Sequence, residues 1–446
     1  MAKFLVLGAG LVVAPLVEYL CRRVDNTIVI ANNILAAAQD LAAPFKNASA
    51  ELIDVTDAQA LQNRAADFDL VLSMVPPTFH PLVAKACIGA KTHMVSASYQ
   101  SGEMLALSAQ AEAASITILN EIGLDPGIDH LSAMQIIDAA HAKGEQIEAF
   151  VSWCGGLPAP DDNDNPLGYK FSWNPKGAIL VLLNEARYKQ AGKNKIIASE
   201  NLMNWAKPVR IGGLDLECYP NRNSLLYKDI YNIPEVNTLI RGTLRYPGFC
   251  AVMQLAKTLG LFGLENVSVS NTTTWNEYIS ILNGGASVET LRDNAPDKPW
   301  QALDWLGVFS DNPIHAGLTP VDVFCDLLLA KLPYLDGEQD MIILQHKFII
   351  KRKDGTKYYR SALFKSIGEP GGSSAMAVTV GLPAAMAAQL IVDGHITQTG
   401  MVLPVSANIY DPILRLLKQD NIEFSEQVWE QDQMNDVEFI PELHCI

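Results

Sequence analysis

Six short apolar runs follow one another through the first 120 residues, with helix-length segments between most of them. No other feature of the chain constrains its fold as much. The runs are Phe4–Leu7, Thr27–Ile30, Glu51–Val55, Leu70–Met74, His93–Ser96 and Ile116–Leu119. Runs this short and continuous suit strands buried on both faces. Leu11, Val12, Leu16, Val17 and Leu20 recur with helical spacing across Leu11–Cys21, and Leu35–Leu41 reads as a second helix. Alternating units of this kind predict an α/β fold built on a doubly wound parallel sheet.

The loop after the first run carries part of a dinucleotide fingerprint. The pattern GxGxxG would put glycines at positions 8, 10 and 13, and the chain has Gly8, Gly10 and Val13. Gly8 permits the tight turn, and Gly10 lets backbone approach a pyrophosphate at a helix amino end. The third glycine normally lets helix and strand pack closely, a place the small Ala14 could take one position later. A plain structural turn is the alternative, and placement after the first strand of a six-strand alternation favours dinucleotide binding. At the end of the second strand an acid would bind a ribose 2′-hydroxyl and an arginine a 2′-phosphate. Asn32 and Asn33 stand there, and an amide can bond either group.

From about Gln146 the pattern changes to longer strands at Ile147–Trp153, Lys207–Ile211, Met341–Arg352 and Lys357–Leu363, which suits a second, mixed sheet. Phe249–Leu332 is rich in Leu, Ala and Trp and reads as an α-helical insert broken by the loop Asp311–Gly317. Ser373–Val392 is rich in alanine and predicts a tightly packed helix with Pro383 inside it. At 446 residues the chain is too long for one core. The expected division is 1–124 plus about 394–446, 125–248 plus about 333–393, and the helical insert 249–332.

Hydrophobic residues at 49% and charged residues at 18% describe a well-buried protein rather than a disordered one. A net charge of −16 argues against nucleic-acid and anionic-membrane partners, since both need a basic face. An anionic substrate must then be met by a local cluster of arginines. The seven cysteines (Cys21, Cys87, Cys154, Cys218, Cys250, Cys325, Cys445) show no metal-ligand spacing and read as free thiols of a reducing compartment, with no metal expected. No run of roughly 18 apolar residues is evident, so no membrane span is expected. The start, Met1-Ala-Lys leading into Phe4–Leu7, is unlike a signal peptide, and a cytoplasmic location is expected.

Site chemistry gathers in a few stretches. Asn120-Glu-Ile-Gly-Leu-Asp-Pro-Gly-Ile-Asp-His130 packs two glycines, a proline, three acids and a histidine behind the sixth strand. Strand carboxyl ends are where open α/β sheets bind ligands. Arg222 lies in turn chemistry at Tyr219–Ser224, and Arg241 and Arg245 sit beside glycine and proline at Arg241–Gly248. Guanidinium forks bind carboxylates, although each arginine taken singly is more often a surface ion-pair partner. Tyr169, Lys170 and Ser172 are further candidates in a second polar loop, where Phe171 and Trp173 could equally be core. His80 and His130 sit near strand ends and could shuttle protons, but a lone histidine is more often structural.

Over nearly its whole length the chain resembles the glutamate-forming, NADP-dependent saccharopine dehydrogenases, also called saccharopine reductases. The resemblance rests on NEIGLDPGIDH (120–130), CGGLPAP (154–160), DNPLGYKFSW (164–173), YPNR (219–222), RGTLRY (241–246), LQHKF (344–348) and SAM (374–376). It implies a Rossmann domain completed by the carboxyl-terminal segment, a mixed α/β domain that also serves dimerisation, and a helical insert, assembled as a homodimer. The implied reaction is oxidation of the secondary amine of saccharopine by a nicotinamide cofactor, after which water releases L-glutamate and L-2-aminoadipate 6-semialdehyde.

By resemblance Ser98, Tyr99, Asp125, Arg222, Thr243, Leu244 and Arg245 line the substrate, with Asp125 and Tyr99 the catalytic candidates. Asp125 is suited to accept a hydrogen bond from the substrate ammonium. Gly8, Gly10, Leu11, Val12, Asn32, Asn33, Asp54, Val55, Val75, Leu124, Asp125, Pro126 and Ser172 line the dinucleotide. The general base stays open among Asp125, Tyr99, Lys170 and water. NADP-using members carry an arginine where this chain has Asn33, so NADP is expected with NAD as a possibility. Two other readings compete: a carboxynorspermidine dehydrogenase-like condensation, which needs acids where saccharopine needs arginines, and a non-catalytic dinucleotide-binding sensor.

Overall fold

The computed structural model describes residues 1–315 and 318–436. Ala316 and Gly317 of the expected 311–317 loop, and Cys445, lie outside the described residues. The first six strands are β1 (Lys3–Leu7), β2 (Thr27–Asn32), β3 (Ala48–Leu52), β4 (Leu70–Ser73), β5 (His93–Val95) and β6 (Thr117–Leu119). They pair in parallel in the order β6-β5-β4-β1-β2-β3, so the chain reverses direction across the sheet between β1 and β4. Such a reversal opens a ligand crevice outside the strand carboxyl ends. Five of the six runs lie where the pattern put them. The third does not: β3 pairs Ile28↔Ala48 through Asn32↔Leu52 and ends before Asp54. As an edge strand of alternating partial exposure it has no apolar run to read.

The second sheet begins with β7 (Gln146–Pro158). It continues with β8 (Ala186–Gln190), β9 (Lys193–Ile197), β10 (Lys207–Ile211), β11 (Leu214–Pro220), β12 (Thr238–Arg245), β13 (Asp340–Lys351) and β14 (Lys357–Ile367). Its order is β10-β11-β12-β7-β13-β14, with β12 and β7 parallel and the other pairs antiparallel. The short β8–β9 hairpin hangs from β12. Arg241–Arg245, read in the sequence as arginines beside glycine and proline, is therefore interior strand. Gly242 lies opposite Trp153, and a Cβ there would stand 2.1 Å from the indole ring. That glycine makes room for a tryptophan and bends nothing.

The segment 249–332 is helical as expected, with helices such as Phe249–Thr258, Asp297–Leu306 and Pro320–Lys331. It is not a separate body. Leu255, Tyr278, Leu303 and Phe324 share one buried core with Trp153, Leu216 and Ile343 of the sheet.

The division of the chain differs from the expected one. One compact unit joins Met1–Lys143 to Gly372–Phe424, and the other joins Gly144–Gly371 to the segment that starts at Ser425. The helix Ile128–Ala142, expected in the second domain with Asp125, belongs to the first unit, where Tyr410 donates to Asp138 at 2.7 Å. The helix Ala375–Val392 belongs there too, because Gly381 lies against the helix Ala14–Cys21. A Cβ on Gly381 would be 3.0 Å from both Val12 O and Leu16 N. After β15 (Gly400–Val402), which pairs with β6, the chain returns to the second unit and adds β16 (Ser425–Glu430) beside β14. The tail therefore divides between the units.

The premise that no run of roughly 18 apolar residues is present needs correction. By length and composition Ala375–Val392 is apolar enough to span a bilayer, and 83% of it is buried in the fold. Its alanines and Gly381 give it a face that neighbouring elements approach closely, and Thr379 closes its own hydrogen bond to Ala375 O.

Candidate active site

The carboxyl ends of β1 to β4 gather most of the expected dinucleotide residues. Gly8 follows β1 with φ +106°, and a Cβ on it would stand 2.7 Å from Met74 O. Only glycine fits that crossing. A Cβ on Gly10 would meet nothing within 4 Å, so backbone is open to approach there. The helix behind it starts at Ala14 with Pro15 in its first turn and no side-chain cap on its amide groups. Anionic groups fit such an uncapped start. Val13 is fully buried, and the close packing that a third glycine would allow is supplied from the opposite helix by Gly381.

Asn32 ends β2 and accepts from the Asn33 amide at 3.0 Å, and Asn33 is exposed. Asp54 accepts from the Thr56 amide at 2.9 Å and hydroxyl at 2.7 Å, which hold its carboxyl below its ordinary pKa. Val55 and Val75 are half-buried against the core of the first unit, and Leu11 is exposed.

Ser98, Tyr99 and Asp125 come together in the first unit. Tyr99 donates to Asp125 Oδ1 at 2.7 Å. The Ser98–Gln100 loop is tied down from below: the Glu121 amide donates to Ser98 O at 3.1 Å, and the Gln100 amide to Glu121 Oε1 at 2.9 Å. The other carboxylate oxygen of Glu121 lies 2.9 Å from Nε2 of the buried His130. His130 is thus part of a brace under the loop.

The turn that carries Asp125 is closed by Gly127, at φ +148°. A Cβ there would stand 1.9 Å from Gly123 O. The Gly127 amide donates to the buried Asp129 carboxylate at 2.7 Å. The side chains of Leu124 and Pro126 are buried, so any dinucleotide contact from them falls to backbone.

His80 was expected as a lone histidine. Its Nδ1 lies 2.8 Å from Ser73 Oγ and its Nε2 2.8 Å from Ser98 Oγ, with Ser96 Oγ at 3.3 Å. Burial pushes its pKa down to about 4. The sequence signal for this cluster is slight: a serine at each of two strand ends, and a histidine opening the intervening helix.

The second unit holds the arginines, in two different states. Arg222 follows β11 with φ +50° and an exposed side chain, and its carbonyl accepts from the Arg187 amide at 2.7 Å. A non-glycine residue held left-handed marks a backbone that the surroundings over-determine. Arg245, in contrast, is only 6% exposed. Its Nη1 donates to Leu244 O at 2.8 Å, its Nε has no hydrogen-bond partner, and its guanidinium lies 5.0 Å over the Tyr169 ring and 5.2 Å over Phe249. Among the described residues no carboxylate pairs with it. Burying a cation without a countercharge is costly, which suits a place where an anion binds.

Thr243 is half-buried, two positions before Arg245 on the strand and so on the same face. Leu244 points to the opposite face and is fully buried in the core of the second unit, so any ligand contact from it falls to backbone.

Lys170 is poorly suited to act as a base. Its ammonium lies 2.5 Å from Glu338 and 2.9 Å from Asp164. Burial lowers its pKa, but the two carboxylates more than offset this and the net shift is upward. Ser172 is buried in the same loop, and Tyr169, Phe171 and Phe249 form a ring cluster. Arg241 lies 4.0 Å over the Tyr227 ring. Six described cysteines are buried. No group of acids, histidines and cysteines suited to a metal occurs among the described residues.

Comparisons with known proteins agree with this arrangement. A profile described as "Saccharopine dehydrogenase NADP binding domain" matches residues 4–119, and one described as "Saccharopine dehydrogenase C-terminal domain" matches 123–422. The chain is 42% identical over 429 residues to saccharopine dehydrogenase [NADP(+), L-glutamate-forming] of Saccharomyces cerevisiae, covering 93% of this chain and 96% of that one. It is 38% identical to the mitochondrial alpha-aminoadipic semialdehyde synthase of Rattus norvegicus, covering 95% of this chain and 48% of the relative. Among solved structures, the apo saccharopine dehydrogenase (L-Glu forming) from Saccharomyces cerevisiae superposes with a TM-score of 0.87 at 40% identity. That match covers 96% of this chain and 100% of the other.

Proposed function

The chain belongs to the saccharopine dehydrogenase family, and from that premise we propose how its residues divide the work of the NADP-dependent, glutamate-forming reaction. The secondary amine of saccharopine loses a hydride from carbon and a proton from nitrogen. Water adds to the resulting imine and releases L-glutamate and L-2-aminoadipate 6-semialdehyde; the reverse is a reductive condensation. When bound, NADP supplies the hydride acceptor. Gly8, Gly10 and the uncapped helix start at Ala14 suit its pyrophosphate.

Each unit contributes its own chemistry. In the first, Tyr99 orients the Asp125 carboxylate, which accepts from the substrate ammonium and receives the proton it gives up, directly or through water. In the second, Arg245, with Arg222 and Thr243, binds substrate carboxylates. The buried, carboxylate-free setting of Arg245 carries this reading, because it needs the anion that a tricarboxylate brings. Hydride transfer asks mainly for alignment, so most of the rate comes from positioning. Neither a diamine condensation nor a non-catalytic sensor gains support from the relatives reported above. The reading extends to a homodimer, supported by the resemblance, and to a cytoplasmic location, supported by cysteines that read as thiols of a reducing compartment.

The test is cofactor reduction with saccharopine in wild type and in Arg245→Met. Wild type should turn over with NADP. The variant should lose about ten- to a hundredfold in kcat/KM, the worth of a hydrogen bond to a charged group, and keep its NADPH affinity. Its melting temperature should not fall, since an unpaired buried charge has been removed. A folded wild type that turns over saccharopine with neither cofactor refutes the function.

A further inference from the structure

We propose that Glu121 is a positioning residue for the acid–base pair. Its carboxylate cross-links the loop that carries Tyr99 to the helix that follows Asp125, and so keeps the phenol on the aspartate. The inference rests on the reading of Asp125 as the proton acceptor and adds to it what holds its partner in place.

β5 and β6 are parallel neighbours, so the segments that leave their carboxyl ends run side by side. One carries Ser98, Tyr99 and Gln100; the other carries Glu121, then Asp125, then the helix Ile128–Ala142. Glu121 meets the first segment on both sides of Tyr99. Its amide donates to Ser98 O at 3.1 Å, and its Oε1 accepts from the Gln100 amide at 2.9 Å. The backbone before and after the tyrosine is thus tied to one residue, while the phenol reaches Asp125 Oδ1 at 2.7 Å. The other oxygen, Oε2, lies 2.9 Å from Nε2 of His130, in the first turn of the helix behind Asp125. That contact closes whether the proton sits on nitrogen or on oxygen, so the tie needs no particular tautomer. Tyr99 and Asp125 are therefore joined twice, once directly and once through Glu121 and His130.

Two features set this carboxylate apart from a surface brace. Glu121 and His130 are 5% and 0% exposed, and a buried carboxyl is costly unless its oxygens are used. The φ of Glu121 is +59°, a left-handed conformation that a side chain disfavours and glycine takes freely. Residues in that state are held by surroundings that over-determine them, and they gather at functional sites. The consequence for catalysis is geometric. A shift of about 1 Å in a reacting group can cost about a hundredfold in rate, so a loop released by that much loses turnover without losing the fold.

Glu121→Gly removes the carboxylate and leaves the left-handed turn free to form. With saccharopine its kcat should fall about tenfold, and its NADPH affinity should stay within about twofold of wild type. Glu121→Gln, which keeps an acceptor for the Gln100 amide, should recover kcat to within about threefold of wild type. In the Tyr99→Phe background Glu121→Gly should add less than about twofold, because the hydroxyl it places is gone. An undiminished effect there overturns the proposal and leaves Glu121 a purely structural role. Where Glu121→Gly fails to fold, His130→Leu removes the other end of the tie and is held to the same cycle. A second readout needs no substrate: the Cζ resonance of Tyr99, in full-length protein labelled with 13C-tyrosine and assigned through Tyr99→Phe. It should move in Glu121→Gly or His130→Leu and hold in Glu121→Gln; a resonance that stays in place in the first two overturns the proposal. Full turnover in Asp125→Asn refutes the acid–base reading of Asp125, and the resonance still decides whether Glu121 places the phenol.

Discussion

Two buried cations in the second unit show how much a residue's setting decides. Lys170 and Arg245 have nearly the same low exposure, yet Lys170 is held by two carboxylates and Arg245 by two aromatic rings and one carbonyl. The first is satisfied by the fold, and the second lacks a countercharge, which is the ground for the proposed anion at Arg245. Asn33 poses the complementary question in the first unit, since a neutral amide offers a 2′-phosphate no countercharge. Asn33→Arg should raise the NADP-to-NAD ratio of specificity constants and Asn33→Asp should lower it through like-charge repulsion. Equal ratios in the three proteins would show that the ribose is read elsewhere.

His80 adds a pH dependence with a defined sign. Its pKa falls from 6.5 in the unfolded chain to about 4 in the fold, so between those values the unfolded chain takes up a proton that the folded chain refuses. Stability is full above pH 6.5 and is lost as the pH falls through 4, by up to about 3 kcal/mol from this residue. Urea unfolding of wild type and His80→Asn at pH 7, 5 and 4 should show a shallower decline in the variant. Parallel declines would assign the acid sensitivity to other groups.

At the scale of elements, the turn Gly123–Gly127 is the one on which the candidate acid–base group depends. Gly127 is held left-handed with no space for a Cβ, and its amide is fixed by Asp129. Gly127→Ala should cost about 1–3 kcal/mol, read as a lower urea midpoint, and should also reduce kcat by displacing Asp125. An unchanged midpoint would mean that the turn relaxes at no cost. The turn was legible in the sequence because glycine, proline and aspartate signal special backbone. Strand β12 was not legible, because Arg241, Gly242 and Arg245 violate strand patterning, and only pairing with β7 and the Trp153 ring over Gly242 explains them.

For the whole molecule, the two units are expected to respond to NADPH differently. All but one of the expected dinucleotide residues lie in the first unit, Ser172 being the exception. NADPH at roughly 100 times its Kd should stabilise the protein by about 2.7 kcal/mol. Hydrogen exchange should slow first at the carboxyl ends of β1 to β4. Protection confined to the second unit would contradict the assignment of Gly8, Gly10 and Asn33.

Periodicity and turn chemistry act over a few residues, and that is why the parallel sheet, the glycine loop, the Asp125 turn and the helical stretch 249–332 could be read from the sequence alone. The family resemblance went further only because long ordered motifs carry information that composition lacks. Tertiary structure decided whatever depends on partners distant in sequence. It put the helix Ala375–Val392 against Ala14–Cys21, sent Ser425–Glu430 to the second sheet, buried Leu244 away from the ligand face, and surrounded His80 with serines from two other strand ends. A residue's neighbours in sequence set its backbone. Its neighbours in space set its charge, its hydrogen bonds and its use.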